Sequence, residues 1–275
     1  MTIGQMTTGQ MTIGQMTTGL RLVLRGVSHA YRDLTVLDDI ALTAEPGEVM
    51  VLVGPSGCGK STLLGIMGGM LAPSGGSVTV EGMVAEDCLN PLTYVFQDFA
   101  LLPWRTVAGN IELVLERRLP RVDRVARVAE VLALTGLTAF ADSWPKQLSG
   151  GMRQRVGIAR ALAVRPACLL MDEPLSALDA QTRDLLLDEF SAIIARAGTT
   201  TVYVTHNLNE AVRLGQQIVV LSRRPGRVRA VIRIDRPLAE RQARDPDLLA
   251  IEENLWRMIR DDAAAAERER IDAPA

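Results

Sequence analysis

The chain is 275 residues long, 48% hydrophobic and carries a formal net charge of −2 at pH 7, enough apolar material to bury a substantial core in one large or two smaller domains. That balance supplies no basic field for a nucleic-acid backbone and argues against DNA or RNA as the main partner. Three cysteines, Cys58, Cys88 and Cys168, make no disulfide framework and fit a reducing compartment, while the longest apolar window, residues 63–72, contains three glycines and falls short of the ~20 residues that cross a bilayer.

Residues 1–20 repeat the pentad M-T-[IT]-G-Q four times, with Leu20 replacing the last glutamine. Without a basic n-region or an apolar h-region this is not a signal peptide. A glycine every fifth residue opposes helix and strand alike, so residues 1–19 are expected to be a disordered, low-complexity extension. Residues 22–31 and 40–44 partly alternate apolar and polar side chains and precede the turn Glu45-Pro46-Gly47-Glu48. They read as antiparallel strands flanking the strand that follows. Tyr31, one of three tyrosines, could stack on a nucleotide base or be an ordinary strand-end aromatic.

Val49, Met50, Val51, Leu52 and Val53 form a continuous apolar run, the pattern of a parallel strand buried on both faces. Gly54, Gly57 and Gly59 then lead into Lys60 and Ser61 with the spacing G-x-x-x-x-G-K-[ST], and Leu63 and Leu64 open a helix. This is a P-loop in its required setting between strand and helix. A polyphosphate is neutralised there by successive backbone N–H groups and the positive end of a helix dipole. Lys60 places a compact ammonium on the β/γ-phosphates, and the Ser61 hydroxyl ligates Mg²⁺. Only Lys60 and Lys146 are lysines, the other basic side chains being arginine; at Lys60 a point charge and not a planar fork is wanted, whereas Lys146 reads as a solvated loop charge.

Beyond a turn at residues 73–76 and short strands at 77–80 and 92–96 comes Gln97, then Phe99, Leu101, Leu102, Pro103 and Trp104. Such apolar density is unusual in a surface loop. These side chains either pack beneath the next stretch or line a groove for a partner helix. Residues 106–165 read as a helical insertion: Val122, Val125, Ala126, Ala129 and Leu132 keep helical spacing with arginines opposite. It closes with Ser149 as an N-cap, and Gly150 and Gly151 expose N–H groups at the start of a helix running through Ala163, a second anion site. A buried strand at 167–171 ends in Asp172 and Glu173. A carboxylate at that strand tip suits Mg²⁺, and Glu173 is placed to orient or deprotonate a water. A helix at 181–197, a strand at 200–204 ending in Thr205-His206, closing strands at 218–221 and 228–234, and an amphipathic helix between 245 and 262 complete the chain. His206 could contact a γ-phosphate or the attacking water, or be a polar strand-end residue.

Taken together, these segments resemble ABC-type ATPase subunits over roughly residues 20–235. Gly54, Pro55, Ser56, Gly57, Cys58, Gly59, Lys60, Ser61 and Thr62 match Walker A, and residues 169–172 match Walker B. Glu173 matches the catalytic base, Gln97 the Q-loop, Ser149 to Gly151 the signature, Leu178 and Asp179 the D-loop, His206 the switch histidine and Tyr31 the adenine-stacking aromatic. Asn207 departs from the aspartate common after that histidine. The resemblance implies an α/β fold with a P-loop NTPase (RecA-like) core and mixed sheet, residues 20–105 and 166–235, a flanking antiparallel β-subdomain and an inserted helical subdomain at 106–165; beyond its reach, the amphipathic pattern makes residues 236–275 an expected helical tail. It also implies ATP and Mg²⁺ as cofactors, with Ser61, Gln97 and Asp172 on the metal, and a second copy closing head to tail over two ATP molecules. The implied setting is the cytoplasmic face of a prokaryotic inner membrane, beside integral-membrane permease subunits and, indirectly, a periplasmic or lipid-anchored substrate-binding protein. Three details resemble the importers of nitrate, sulfonates, taurine and bicarbonate: Phe96-Gln97-Asp98 with residues 101–104, the Met-Arg-Gln-Arg run from Met152, and Ser222-Arg223-Arg224-Pro225-Gly226-Arg227. The alternatives are a non-transport ABC ATPase switching nucleic acid or ribosomes, which the acidic balance disfavours, an ATPase for another substrate class, and an ATP-sensing module, which Glu173 disfavours.

Overall fold

The computed structural model describes residues 19–98, 100–176, 178–242 and 245–272. The disorder expected of residues 1–19 falls on residues 1–18, which lie outside the described residues, and Gly19 opens the first strand, opposite Met83.

Two sheets organise the molecule. β1 (Gly19–Tyr31), β2 (Leu34–Ala44) and β4 (Gly75–Met83) make a three-stranded antiparallel sheet in the order β2-β1-β4. The second sheet contains β3 (Val49–Val53), β5 (Leu92–Val95), β6 (Cys168–Asp172), β7 (Thr200–Val204), β8 (Gln217–Leu221) and β9 (Val228–Arg233), in the order β5-β6-β7-β3-β8-β9. All of its pairings are parallel except β8 with β9. The strands expected to flank the P-loop strand therefore pair with each other and with β4, whereas the neighbours of β3 are β7 and β8. Their partial alternation reflects a sheet with one wetter face, which a parallel sheet covered on both sides does not have.

β3 is buried at every position because its alternate side chains feed two cores. Val49, Val51 and Val53 join Leu169, Met171, Tyr203, Ile218 and Val220 on one face. There α2 (Val107–Glu112), α3 (Arg121–Leu134), α4 (Gly150–Ala163), α5 (Ala180–Ala197), α6 (Leu208–Leu214) and α7 (Pro246–Asp272) contribute. Met50 and Leu52 join Leu170, Val202, Val204, Val219 and Leu221 on the other face. There α1 (Lys60–Met67) adds Leu63, Leu64, Ile66 and Met67, and the antiparallel sheet adds Leu22, Leu24, Leu37 and Ile40. Ser149 caps α4, its hydroxyl accepting from the Met152 N–H at 3.3 Å, a bond that satisfies one orphan donor of the first turn. Among the described residues no helix is long and apolar enough to cross a membrane.

Candidate active site

Parallel strands deliver their carboxyl ends to one edge, which is where ligand sites of open α/β sheets form. β3 runs into Gly54, β6 into Glu173, β7 into Thr205 and His206, and β5 into the segment holding Gln97. Register brings them level, with Asp172 opposite Val204 and Val204 opposite Leu52.

Gly59 caps α1 with φ +103, and a Cβ there would lie 2.7 Å from Leu37 Cδ2, so both backbone and space demand glycine. Lys60 is 7% exposed. Its Nζ donates to the Gly54 carbonyl at 2.8 Å and the Pro55 carbonyl at 3.1 Å, with Cys58 Sγ 4.0 Å away. Burial pushes the Cys58 thiol up, and Lys60 pulls it partly back. Carbonyl oxygens carry only partial charge, so the ammonium remains the dominant cation inside the loop, where phosphate oxygens are to be held.

Ser61 Oγ donates to Asp172 Oδ1 at 3.0 Å, and the Tyr94 hydroxyl donates to Oδ2 at 3.3 Å. Burial raises the Asp172 carboxyl above its ordinary range, and these two bonds offset part of that shift. The Tyr94 phenol is pushed up by burial and by the neighbouring Asp172. Among the described residues no cluster of three or more His, Cys, Asp or Glu forms a metal cage. One carboxylate beside one hydroxyl suits Mg²⁺, a hard cation that keeps waters and takes substrate phosphates as further ligands.

Glu173 sits in the left-handed region at φ +45, a conformation costing a non-glycine residue about 1 kcal/mol. Its N–H donates to the Val204 carbonyl at 3.0 Å, and its own carbonyl accepts from Ser176 Oγ at 2.8 Å. The carboxylate Oε2 lies 2.9 Å from His206 Nδ1. With Glu173 ionised, that nitrogen is the donor, and the bond fixes the direction of the carboxylate.

Other expected residues stand apart. Ser149, Asp179 and Gln97 are exposed, and Tyr31 is 47% exposed, its ring edge-on to His29 at 4.7 Å. Leu101 packs partly buried against the larger core, Phe99 lies outside the described residues, and Trp104 is 69% exposed. A cleft of about 570 Å³ meets this segment at Asp98 and Ala100 and is lined further by Tyr94, Phe96, Val114 and Arg160 among others. Trp104 stands outside that lining.

Sequence reasoning missed three supports. Tyr94 is one, and no sequence signal marks it, because its contact with Asp172 depends on β5 and β6 being neighbours. Gln154 is another, donating to the Pro174 carbonyl at 3.0 Å and so tying α4 to the turn after Glu173. Glu210 is the third: 3% exposed, it accepts from Tyr203 Oη at 2.8 Å and Thr205 Oγ1 at 2.7 Å, and it faces Arg183 at 3.5 Å. Burial raises its carboxyl. Arg183 donates in turn to the Leu178 carbonyl at 2.7 Å, so one buried carboxylate steadies both the His206 turn and the segment leading to Asp179. Asn207 Oδ1 accepts from the Glu210 N–H at 3.2 Å and caps α6. The spacing Asn207-x-x-Glu210 is an N-cap signature that could have revealed this helix.

The ABC transporter family model matches residues 37–176. An ATP-binding protein of Brucella abortus is 40% identical over 242 residues, 87% of this chain and 93% of that protein. The taurine import ATP-binding protein TauB of Pseudomonas putida is 42% identical over 217 residues, covering 78% of this chain and 83% of TauB. The nitrate import ATP-binding protein NrtC of Synechococcus elongatus is 43% identical over 205 residues, 73% of this chain but 31% of NrtC. Among solved structures, the dimeric post-hydrolysis state of the ATP-binding cassette MJ0796 bound to ADP and Pi superposes with a TM-score of 0.64. It is 33% identical and covers 77% of this chain and 98% of that one.

Proposed function

The chain belongs to the ABC transporter family of ATP-binding ATPases, and on that premise we propose that it powers a prokaryotic importer of a small anion such as nitrate, a sulfonate, taurine or bicarbonate. The observation that carries the reading is the convergence at one sheet edge of Lys60, the Ser61–Asp172 pair and the Glu173–His206 pair. The P-loop amides and Lys60 hold the phosphates. Ser61 and Asp172 would hold Mg²⁺, with Gln97 as a further ligand, and the cation would supply charge neutralisation for the phosphates. Glu173 takes the proton of the attacking water, and His206, bonded to Glu173, orients it.

Ser149, Gly150, Gly151 and Asp179 face a second copy of the chain, whose P-loop supplies the other half of each site, and Tyr31 stacks on the base. The dimeric MJ0796 cassettes support this arrangement, and the names of TauB and NrtC support import. Permease subunits dock by a short cytoplasmic helix near the cleft beside β5, placing the protein peripherally on the cytoplasmic face. The substrate-binding protein is reached only through them.

The test is co-purification with a multi-span permease, followed by transport assays with nitrate, taurine and bicarbonate. Trp104→Ala should leave the thermal melt and basal ATPase nearly intact while weakening permease capture by roughly 2 kcal/mol, about thirtyfold. A melt lowered as far as a core truncation, or an unchanged capture, would remove Trp104 from the interface.

A further inference from the structure

The segment Ser222-Arg223-Arg224-Pro225-Gly226-Arg227 takes no part in the chemistry above, yet it lies against the P-loop. It is a closed turn: the Ser222 N–H donates to the Arg227 carbonyl at 3.0 Å, and Ser222 Oγ accepts from the Arg227 N–H at 3.0 Å. Gly226 locks it to β2, donating to the Val36 carbonyl at 2.8 Å and accepting from the Asp38 N–H at 3.0 Å, while Arg227 Nε donates to Asp38 Oδ2 at 2.9 Å. On its inner side a Cβ added to Gly226 would lie 2.2 Å from the Cys58 carbonyl oxygen. The backbone of Gly226 is not left-handed, so it is this contact alone that demands glycine.

The peptide joining Cys58 to Gly59 is planar and trans, so its carbonyl and its N–H point in opposite directions. A backbone seated on the Cys58 carbonyl therefore fixes the aim of the Gly59 N–H, one of the donors that would face phosphate. The far end of the turn is held by α7, where Asp262 Oδ2 accepts from the Arg223 N–H at 3.4 Å and from Arg229 Nη1 at 3.0 Å.

We propose that the loop 222–227 is a positioning element of the nucleotide site: Gly226 sets the P-loop peptide at Cys58–Gly59, and Asp262 of α7 holds the loop in place. The inference rests on the reading of the P-loop as the ATP site. Loosening the loop therefore misdirects a phosphate donor and leaves Glu173 and His206 untouched.

The experiment measures ATP binding by fluorescence titration, KM and kcat for ATP, and thermal melts, for wild type, Gly226→Ala, Ser222→Ala and Asp262→Asn. A Cys88→Ser background adds the rate at which N-ethylmaleimide labels Cys58, which is 1% exposed. Gly226→Ala should raise KM about tenfold with kcat within about twofold, as expected where a contact made equally in ground and transition states is lost. Ser222→Ala and Asp262→Asn should raise KM about threefold and speed Cys58 labelling, with melts near wild type. If Gly226→Ala does not fold, the other two decide. Unchanged KM and labelling in them overturn the proposal, as does a rise in KM matched by a proportionate fall in kcat and melting temperature. Wild type failing to bind ATP would instead overturn the reading of the site itself.

Discussion

Around Lys60 the chain closes upon itself. The ammonium is 7% exposed and bonded to two carbonyls of its own loop, Ser61 reaches Asp172, and Gly59 is pressed against Leu37. Around Ser149 the same kind of anion-binding element, N–H groups at a helix start, opens on an exposed residue, with Gly150 half-buried and Gly151 buried, and Ser149 Oγ caps the helix by accepting from the Met152 N–H. The contrast teaches what each element can do in one chain. A loop braced by two sheets arrives with its donors already oriented, so the cost of ordering them is met during folding. An exposed helix start offers donors to one side only and needs a second surface to enclose an anion.

The comparison can be broken most severely at Lys60. Lys60→Ala should abolish measurable ATP binding, because the ammonium contacts charge in ground and transition states alike; wild-type affinity in a filter assay would show that the loop amides suffice. Glu173→Gln should keep ATP affinity yet lower turnover about 10²–10⁴-fold, since an amide keeps the shape but accepts no proton. It should also trap an ATP-bound dimer on size-exclusion chromatography, and a hydrolysing monomer there would refute the assignment. Ser149→Arg sharpens the contrast: ATP affinity of the monomer should stay within about twofold, while dimer formation in the Glu173→Gln background falls at least about tenfold. Equal losses of both would mean that the signature acts within its own chain. The smallest effect is expected at the start of the chain, where replacing residues 1–18 by a single Met should change KM and kcat by less than about twofold.

Legibility followed the same division. β3, α4, β6 and β7 were readable almost to the residue because dense apolar runs, a glycine-rich turn and an N-cap are local signals. Lys60 and Ser61 are legible from the P-loop spacing and Asp172, Glu173 and His206 as residue types at or just beyond strand ends, and the parallel register brings them together. What escaped depends on which strand lies beside which. The separate pairing of β1 and β2 with β4, and the Tyr94 bond to Asp172, are tertiary facts without a local signature. The α6 cap is a local signal too, but Asn207 reads in the sequence only as a departure from the aspartate common after the histidine, which leaves its N-cap spacing to Glu210 unused. Trp104 shows a further limit: apolar character marked its loop as unusual, but only the fold places the side chain in solvent.

The burial of Lys60 also shapes how this protein answers to reagents. A chain with two lysines, one of them folded into its own P-loop carbonyls, presents a single exposed side-chain amine, that of Lys146. Among side-chain amines, acylating or crosslinking agents would therefore collect there. Lys146 lies three residues before Ser149, so one fluorophore attached to it becomes a site-specific reporter of the surface proposed to meet the second copy, obtained without engineering a cysteine.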